Sequence, residues 1–346
     1  MEKFVGLDVS QEATHVCVVD GKGETVWQGK CPSTPDAIAA AIKDKASGVA
    51  RIGLESGSLS TWHWHALKAM GLPVICMDAR HAKAALSMQV NKTDKNDALG
   101  LAQIMRTGWY REVTVKSFSS HQVRAMLGAR AQLVGMRTDL INQIRGILKT
   151  FGVVLKGTSG LTFEKRIEEI MRDGAPVSDT LRALLEILRS IRKQVEKLDV
   201  QVREHARDSK VCRNLMSIPG VGPVTAVAFV TAVDDPAKFR KSKSVGAYFG
   251  LTPRRYQSGE VDQNGGISKC GDNLVRCYLF EAAGVLLTRV DKWSSLRAWG
   301  LRLAKRGGMK KAKVAVARKL AVIMHQMLLT GEEFRWSNPA AVTAAA

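Results

Sequence analysis

Four acidic residues have the types and spacing for metal-assisted chemistry: Asp8, Glu55, Asp94 and Asp97. Asp8 closes an apolar, strand-like run, Phe4-Val5-Gly6-Leu7-Asp8, and Glu55 closes another, Ile52-Gly53-Leu54-Glu55. Asp94 and Asp97 are three apart in Lys92-Thr93-Asp94-Lys95-Asn96-Asp97-Ala98, so on a helix they share a face. Clustered carboxylates repel one another, and a fold that gathers four neutralises them with divalent cations. Mg²⁺ suits the role, because it takes hard oxygen ligands and also coordinates phosphates. A pair of such ions supports in-line displacement at phosphorus, so two Mg²⁺ are expected, with Mn²⁺ able to substitute. Taken singly, each acid has a plainer reading: Asp8 capping a turn through Ser10, Glu55 pairing with Lys68, Asp94 capping a helix.

The elements that must position this quartet are legible around it. Strands are expected over 4–9, 14–20 and 25–30, with Gly21-Lys22-Gly23 as a tight turn. A helix follows over 34–45, capped by Ser33 or Thr34, with Pro35 in its first turn. Then come a strand over 51–55, a helix over 60–70, a strand over 73–77, a helix over 81–89, a break near Asn91 and a helix over 94–107. A three-strand meander followed by alternating helix and strand is the order of a ribonuclease-H-like domain. There, carboxylates from the first and fourth strands and a late helix converge, and the quartet occupies those places. Trp62-His63-Trp64-His65 invites a metal-ligand reading, but histidines two apart do not share a helix face, so packing is expected.

Charge separates the rest of the chain from this module. Residues 1–115 carry 13 basic and 12 acidic side chains, residues 116–212 carry 18 and 11, and residues 213–346 carry 21 and 9. A near-neutral first third joined to a basic remainder suggests chemistry on one module and polyanion binding on the others. Six cysteines without a CxxC pair argue against a zinc site or disulfide framework and for a reducing cytosol. Glu2, Lys3 and Asp8 interrupt any signal peptide, and no apolar run spans a membrane, so a cytoplasmic protein is expected.

Residues 119–151 and 180–207 are long, amphipathic and helix-forming; from Leu184 the apolar spacings alternate four and three, as in a coiled-coil seam. An antiparallel hairpin able to form a dimer or tetramer is expected, with 152–176 as a mixed connector. Leu215–Gly222 reads Leu-Met-Ser-Ile-Pro-Gly-Val-Gly. It suggests a helix-hairpin-helix turn whose Gly220 and Gly222 let backbone amides approach a phosphate; a glycine-capped turn in a helical core is the plainer reading. Beyond it, Lys241, Lys243, Arg254, Arg255 and Lys269 lie among aromatics and glycines, a composition suited to nucleic-acid backbones. The helix over 310–329 is basic on one side and apolar on the other. The expected organisation is an α/β ribonuclease-H-like domain (1–115), a helical connector (116–212), a mainly α domain with a helix-hairpin-helix (213–335) and a frayed tail (336–346).

These motifs resemble a known family. LDVS around Asp8, LESG around Glu55 and KTDKNDA around Asp94 and Asp97 are similar to the N-terminal motifs of DEDD-type insertion-sequence transposases, relatives of the Piv-type invertases. IPGVGPVTA, AYFGLTPRRYQSGE and GGISKCGDNLVR resemble that family's C-terminal transposase domain, in the same order. The resemblance implies a recombinase that excises and inserts a mobile element. It implies a RuvC-like first domain whose Asp8, Glu55, Asp94 and Asp97 hold Mg²⁺. Donor and target DNA would be partners, together with a structured noncoding bridge RNA that pairs with both. It further implies a nucleophilic serine, matched here by Ser258, although Gln257 stands where many relatives have a second serine. A Ser-Gly pair is otherwise simply a turn, and Ser244 and Ser268 are alternatives in similar contexts. With no histidine adjacent in sequence, activation of Ser258 would fall to the metal cluster, in a site assembled from both domains. The competing expectation is a RuvC-like junction nuclease using metal-activated water.

Overall fold

Why β1 (Lys3–Val9) sits at the centre of its sheet follows from its composition: Phe4, Val5 and Leu7 are buried on its two faces. The computed structural model describes residues 2–87, 93–174 and 176–336, which divide into two compact units meeting between Lys116 and Ser117. In the first, β1 is followed by β2 (Ala13–Asp20), β3 (Thr25–Pro32), α1 (Pro35–Lys45), β4 (Val49–Glu55), α2 (Ser60–Ala69), β5 (Val74–Met77), α3 (Ala79–Leu86) and α4 (Asp94–Thr107). The sheet order is β3-β2-β1-β4-β5, antiparallel through the meander and parallel from β1 to β4 to β5. This mixed layering is consistent with the ribonuclease-H-like domain expected.

Each face of the sheet has its own core. Val5, Leu7, Ile52 and Leu54 pack with Ile38 and Ile42 of α1 and Leu67 of α2. On the other face Phe4, Cys17 and Val19 meet Leu101, Ala102 and Met105 of α4. Thr34 is the cap of α1, its hydroxyl accepting from the Ala37 amide at 3.3 Å. The helix expected over 81–89 begins earlier, because Asp78 caps it, and ends at Leu86. The break near Asn91 lies outside the described residues.

The second unit is mostly helical. It comprises α5 (Phe118–Thr150), α6 (Gly160–Arg172), α7 (Ser178–Asp208), α8 (Lys210–Met216), α9 (Pro223–Val233), α10 (Val245–Tyr248), the hairpin β6 (Pro253–Ser258) and β7 (Val261–Ile267), α11 (Asn273–Thr288), α12 (Ser295–Gly307) and α13 (Met309–Thr330). Helices α5 and α7 run antiparallel: Leu127 shares a core with Val202 and Ala206, whereas Ile144 and Leu148 share one with Leu181, Leu185 and Leu188. The stretch read as a mixed connector contains α6, whose Phe163, Ile167 and Ile170 recur every three or four residues and are buried. The aromatic and glycine-rich stretch after Tyr248 contains a hairpin the sequence reading did not foresee. Among the described residues, no helix is long and apolar enough to cross a membrane, and the expected tail lies outside them except for Trp336.

Candidate active site and nucleic-acid interface

Asp8 and Glu55 are brought side by side by strand register. Leu7 of β1 pairs with Leu54 of β4 in parallel, so the half-buried residues that follow leave the same end of adjacent strands. Helix α4 arrives at that region by backbone contact: a β-carbon on Gly6 would lie 2.1 Å from the Ala98 carbonyl oxygen and 2.4 Å from the Ala102 nitrogen. Asp8 is two residues beyond Gly6, hence on the same face of β1, and Asp97 immediately precedes Ala98. Thr93, whose hydroxyl accepts from the Asn96 amide at 3.2 Å, is the cap of α4. Asp94 and Asp97 therefore lie within its first turn, where the helix dipole favours negative charge. Asp94 is exposed and Asp97 half-buried. Among the described residues, no three Asp, Glu, His or Cys side chains stand close enough together to hold a metal ion. Strand register thus sets Asp8 beside Glu55, and the Gly6 contact sets α4 against the same strand, without closing the side chains into a coordination cluster.

A further acid at this end, unnoticed in the sequence, is Asp78 just after β5. It caps α3 through the Arg80 amide at 2.9 Å and takes the Arg80 guanidinium on both oxygens, at 3.3 and 3.0 Å. Those bonds hold its carboxyl below the usual carboxylate range. Asp78 is accordingly neutralised by its own neighbour. The histidines of the Trp-His-Trp-His run are packed and bonded to backbone, His63 to the Leu59 carbonyl at 3.0 Å and His65 to that of Lys116 at 2.9 Å. Lys68, considered as a partner for Glu55, lies over the Trp64 ring at 5.8 Å from its centroid.

In the second unit Ser258 ends β6 at the tip of the exposed hairpin, paired with Val261 across Gly259 and Glu260. Gly259 has φ 55°, the left-handed value such a two-residue loop takes at its first position. The Ser258 hydroxyl makes no hydrogen bond among the described residues. Arg254 and Lys269 are exposed, but Arg255 is clamped by Asp262 of the facing strand, at 2.8 and 2.7 Å. The alternative serines serve turns: Ser244 donates to the Lys241 carbonyl at 2.6 Å, and Ser268 accepts from the Cys270 amide at 3.4 Å.

The motif glycines divide by role. Gly220 has φ 89°, and a β-carbon there would lie 2.5 Å from the Ala282 carbonyl oxygen, so it seats its turn against α11. Gly222 is the open one; it starts α9 without a side-chain cap and has no atom within 4 Å of its missing β-carbon. Gly250 and Gly271 let two segments cross, since β-carbons there would lie 2.2 Å from the Cys270 oxygen and 2.0 Å from the Tyr248 oxygen. Arg276 ties the crossing, donating to the Phe249 and Cys270 carbonyls at 3.1 and 3.2 Å. One positioning residue had no clear sequence signal. Buried His325 bonds the Pro236 carbonyl and the Ser242 hydroxyl, each at 3.0 Å, and so fixes the segment bearing exposed Lys241 and Lys243.

Known proteins match this chain over both units. Residues 5–152 match a family model for DEDD transposases of the IS110 type, described as "Transposase". Residues 212–298 match one described as "Transposase IS116/IS110/IS902 family". The transposase for insertion sequence element IS1111A of Coxiella burnetii is 28% identical over 96% of this chain and 91% of its own length. A putative transposase of Sinorhizobium fredii, y4pF/y4sB, is 30% identical over 82% of this chain and 74% of its own. A pilin gene-inverting protein of Moraxella bovis is 28% identical over 35% of this chain and 37% of its own.

Proposed function

Because the chain belongs to the IS110 family of DEDD transposases, we propose that it is a DNA recombinase that moves a mobile element by phosphoryl transfer through Ser258, guided by a structured RNA. The observation that carries the reading is the shared end of β1 and β4, with α4 pressed on Gly6. That arrangement supports a site in which Asp8 and Glu55 at adjacent strand ends would work with Asp94 and Asp97 at the start of α4. Their donor set is entirely carboxylate oxygen, which fits a hard divalent cation, and a DEDD transposase domain implies divalent-metal use. Mg²⁺ bound by these four residues would supply neutralisation of charge developing on a phosphate.

The protein's own groups account for the remaining requirements. The Ser258 oxygen would form a bond to phosphorus of a DNA phosphodiester as the P–O bond to one DNA hydroxyl breaks. The serine loses its proton and the released hydroxyl gains one. The resulting phosphoserine link conserves the energy of the phosphodiester, so a second DNA hydroxyl can displace the serine and exchange the strands. Exposure of the hairpin leaves room for a duplex at Ser258, and Arg254 and Lys269 would hold its backbone. Gly222 at the open start of α9, with Lys241 and Lys243, offers amides and cations to further phosphates of DNA or guide RNA. Oligomerisation would use the α5–α7 hairpin, where Met136, Ile187 and Val200 face outward because the hairpin's own seam is filled within one chain.

Two measurements on the full-length protein test the reading. Nucleic acid co-purified with it is sequenced: a discrete structured RNA is expected, and random cellular RNA contradicts guidance. Strand cleavage of element-end DNA is followed with and without Mg²⁺; it should require the ion and vanish in Asp8→Ala and Glu55→Gln. Metal-independent cleavage, or full activity in both variants, contradicts the carboxylate assignment.

A further inference from the structure

Beside the base of the β6–β7 hairpin lies a trough of about 750 Å³. Its rim carries Lys243, Lys310, Lys311, Arg318 and Lys319, all exposed and none paired with a carboxylate among the described residues. Its floor is apolar, made by Leu251, Ile267, Val314 and Val322 with the half-buried indole of Trp299. Along α13, Lys311, Ala315, Arg318 and Val322 recur every three or four residues, so one helical face is turned to the trough. Gly246 keeps that face in place: a β-carbon there would lie 2.9 Å from Cγ of Arg318, whose stem lies across the glycine.

Five like charges around one depression repel each other, and a polyanion relieves that repulsion. The floor narrows the choice, since the outside of a duplex offers phosphates and sugars but no flat apolar face. Unpaired bases do, and they stack on aromatic side chains with little regard to sequence. The lining includes no Ser, Thr, Asn, Gln, Asp or Glu side chain, so no side chain there accepts a hydrogen bond from a ribose 2′-hydroxyl or a base edge. The contacts that remain, to phosphates and base faces, are sequence-tolerant. Gly266 has no atom within 4 Å of its missing β-carbon, which keeps the hairpin side of the trough open.

We propose that this trough binds single-stranded DNA, with bases against Trp299 and the apolar floor and phosphates along the five-cation rim. The proposal rests on the recombinase reading for its choice of DNA and extends it. Pro253 and Ile267, which line the trough, are the base of the hairpin that presents Ser258 at its tip, so a strand lying here would be one freed during exchange.

The test uses the full-length protein and a short fluorescein-labelled oligo(dT), read by anisotropy in metal-free buffer across a salt series. The triple variant Lys310→Ala/Lys311→Ala/Lys319→Ala alters only exposed side chains. It should weaken binding on the order of tenfold or more and lower the magnitude of the salt slope by about 2, as expected for three lost contacts to single-strand phosphates. Trp299→Leu should weaken binding with the slope unchanged, and Trp299→Phe should restore much of it. Oligo(rU) and duplex DNA should bind more weakly than oligo(dT) at these residues. Unchanged oligo(dT) affinity in the triple variant, or oligo(rU) or duplex bound as tightly with the same dependence on the lysines, overturns the proposal. Ser258→Ala should bind oligo(dT) as the parent does. The trough can therefore fail while covalent chemistry stands, and the chemistry can fail while the trough stands.

Discussion

Gly6 and Ala98 touch backbone to backbone: a single added carbon on Gly6 would stand 2.1 Å from the Ala98 carbonyl oxygen. This contact sets the spacing between the strand bearing Asp8 and the helix bearing Asp94 and Asp97, so packing and chemistry meet in one pair. Gly6→Ala should therefore force α4 away from β1, cost about 3 kcal/mol of stability in urea titration and abolish metal-dependent cleavage. Gly21→Ala, where no atom lies within 4 Å of the added carbon, is the control and should leave both properties unchanged.

The second unit carries an acid-sensitive staple. Asp234 accepts from the Ser117 amide and hydroxyl, each at 2.8 Å, and from the Ser120 hydroxyl at 2.5 Å. Burial alone would push its carboxyl up, but these bonds, with Lys238 nearby, hold it below the usual range. A depressed folded pKa gives stability that is present above the unfolded value, about 3.9, and is lost as pH falls through the folded one. The urea midpoint of Asp234→Asn should lie below that of the parent at neutral pH, and the gap should close on acidification below about pH 3.9. A gap that stays constant with pH contradicts the staple.

Much of the first unit was legible because its signals were local. Continuous apolar runs, the Gly-Lys-Gly turn and Pro35 after Thr34 mark β1–β3 and α1 almost to the residue, and α4 begins at Asp94 as expected, although Thr93 rather than Asp94 caps it. In the second unit α6 was obscured because its apolar face is one narrow stripe amid charges that pair with α7, as Glu164 does with Arg189. The hairpin was obscured for another reason. Its exposed strands have no buried face and hence no apolar alternation; Arg255 and Asp262 pair across them only once they form. Site residues divided similarly. The positions of Asp8 and Glu55 at strand ends and of Asp94 and Asp97 at a helix start could be read locally, whereas the Arg80 clamp on Asp78 and the His325–Ser242 bond join residues whose meeting only the fold creates.

Cysteine reactivity should follow burial. Burial pushes the thiols of Cys17 and Cys76 up to about 11, while Cys270 and Cys277 are exposed. In the native protein Cys270 and Cys277 should react rapidly with a maleimide, and Cys17, Cys76 and Cys212 should do so only after denaturation. Peptide mapping by mass spectrometry reads this out. Equal labelling of Cys76 in the native state contradicts the core described for the first unit.

The two arginines that follow Pro253 should behave differently. Arg254 is open, so Arg254→Ala should weaken duplex binding and reduce the salt slope by about 1. Arg255 is already engaged by Asp262, so Arg255→Ala should change the slope less. Filter binding across a salt series separates them, and equal slope changes would contradict the pairing.

Covalent attachment of protein to DNA tests the central claim most directly. Full-length protein is incubated with Mg²⁺, its co-purified RNA and labelled element-end DNA, denatured, digested with nuclease and mapped by mass spectrometry. The account predicts a nucleotide adduct on Ser258, absent from Ser258→Ala and from Asp8→Ala. Strand cleavage without any adduct, retained in Ser258→Ala, would identify a nuclease using water and contradict the serine mechanism.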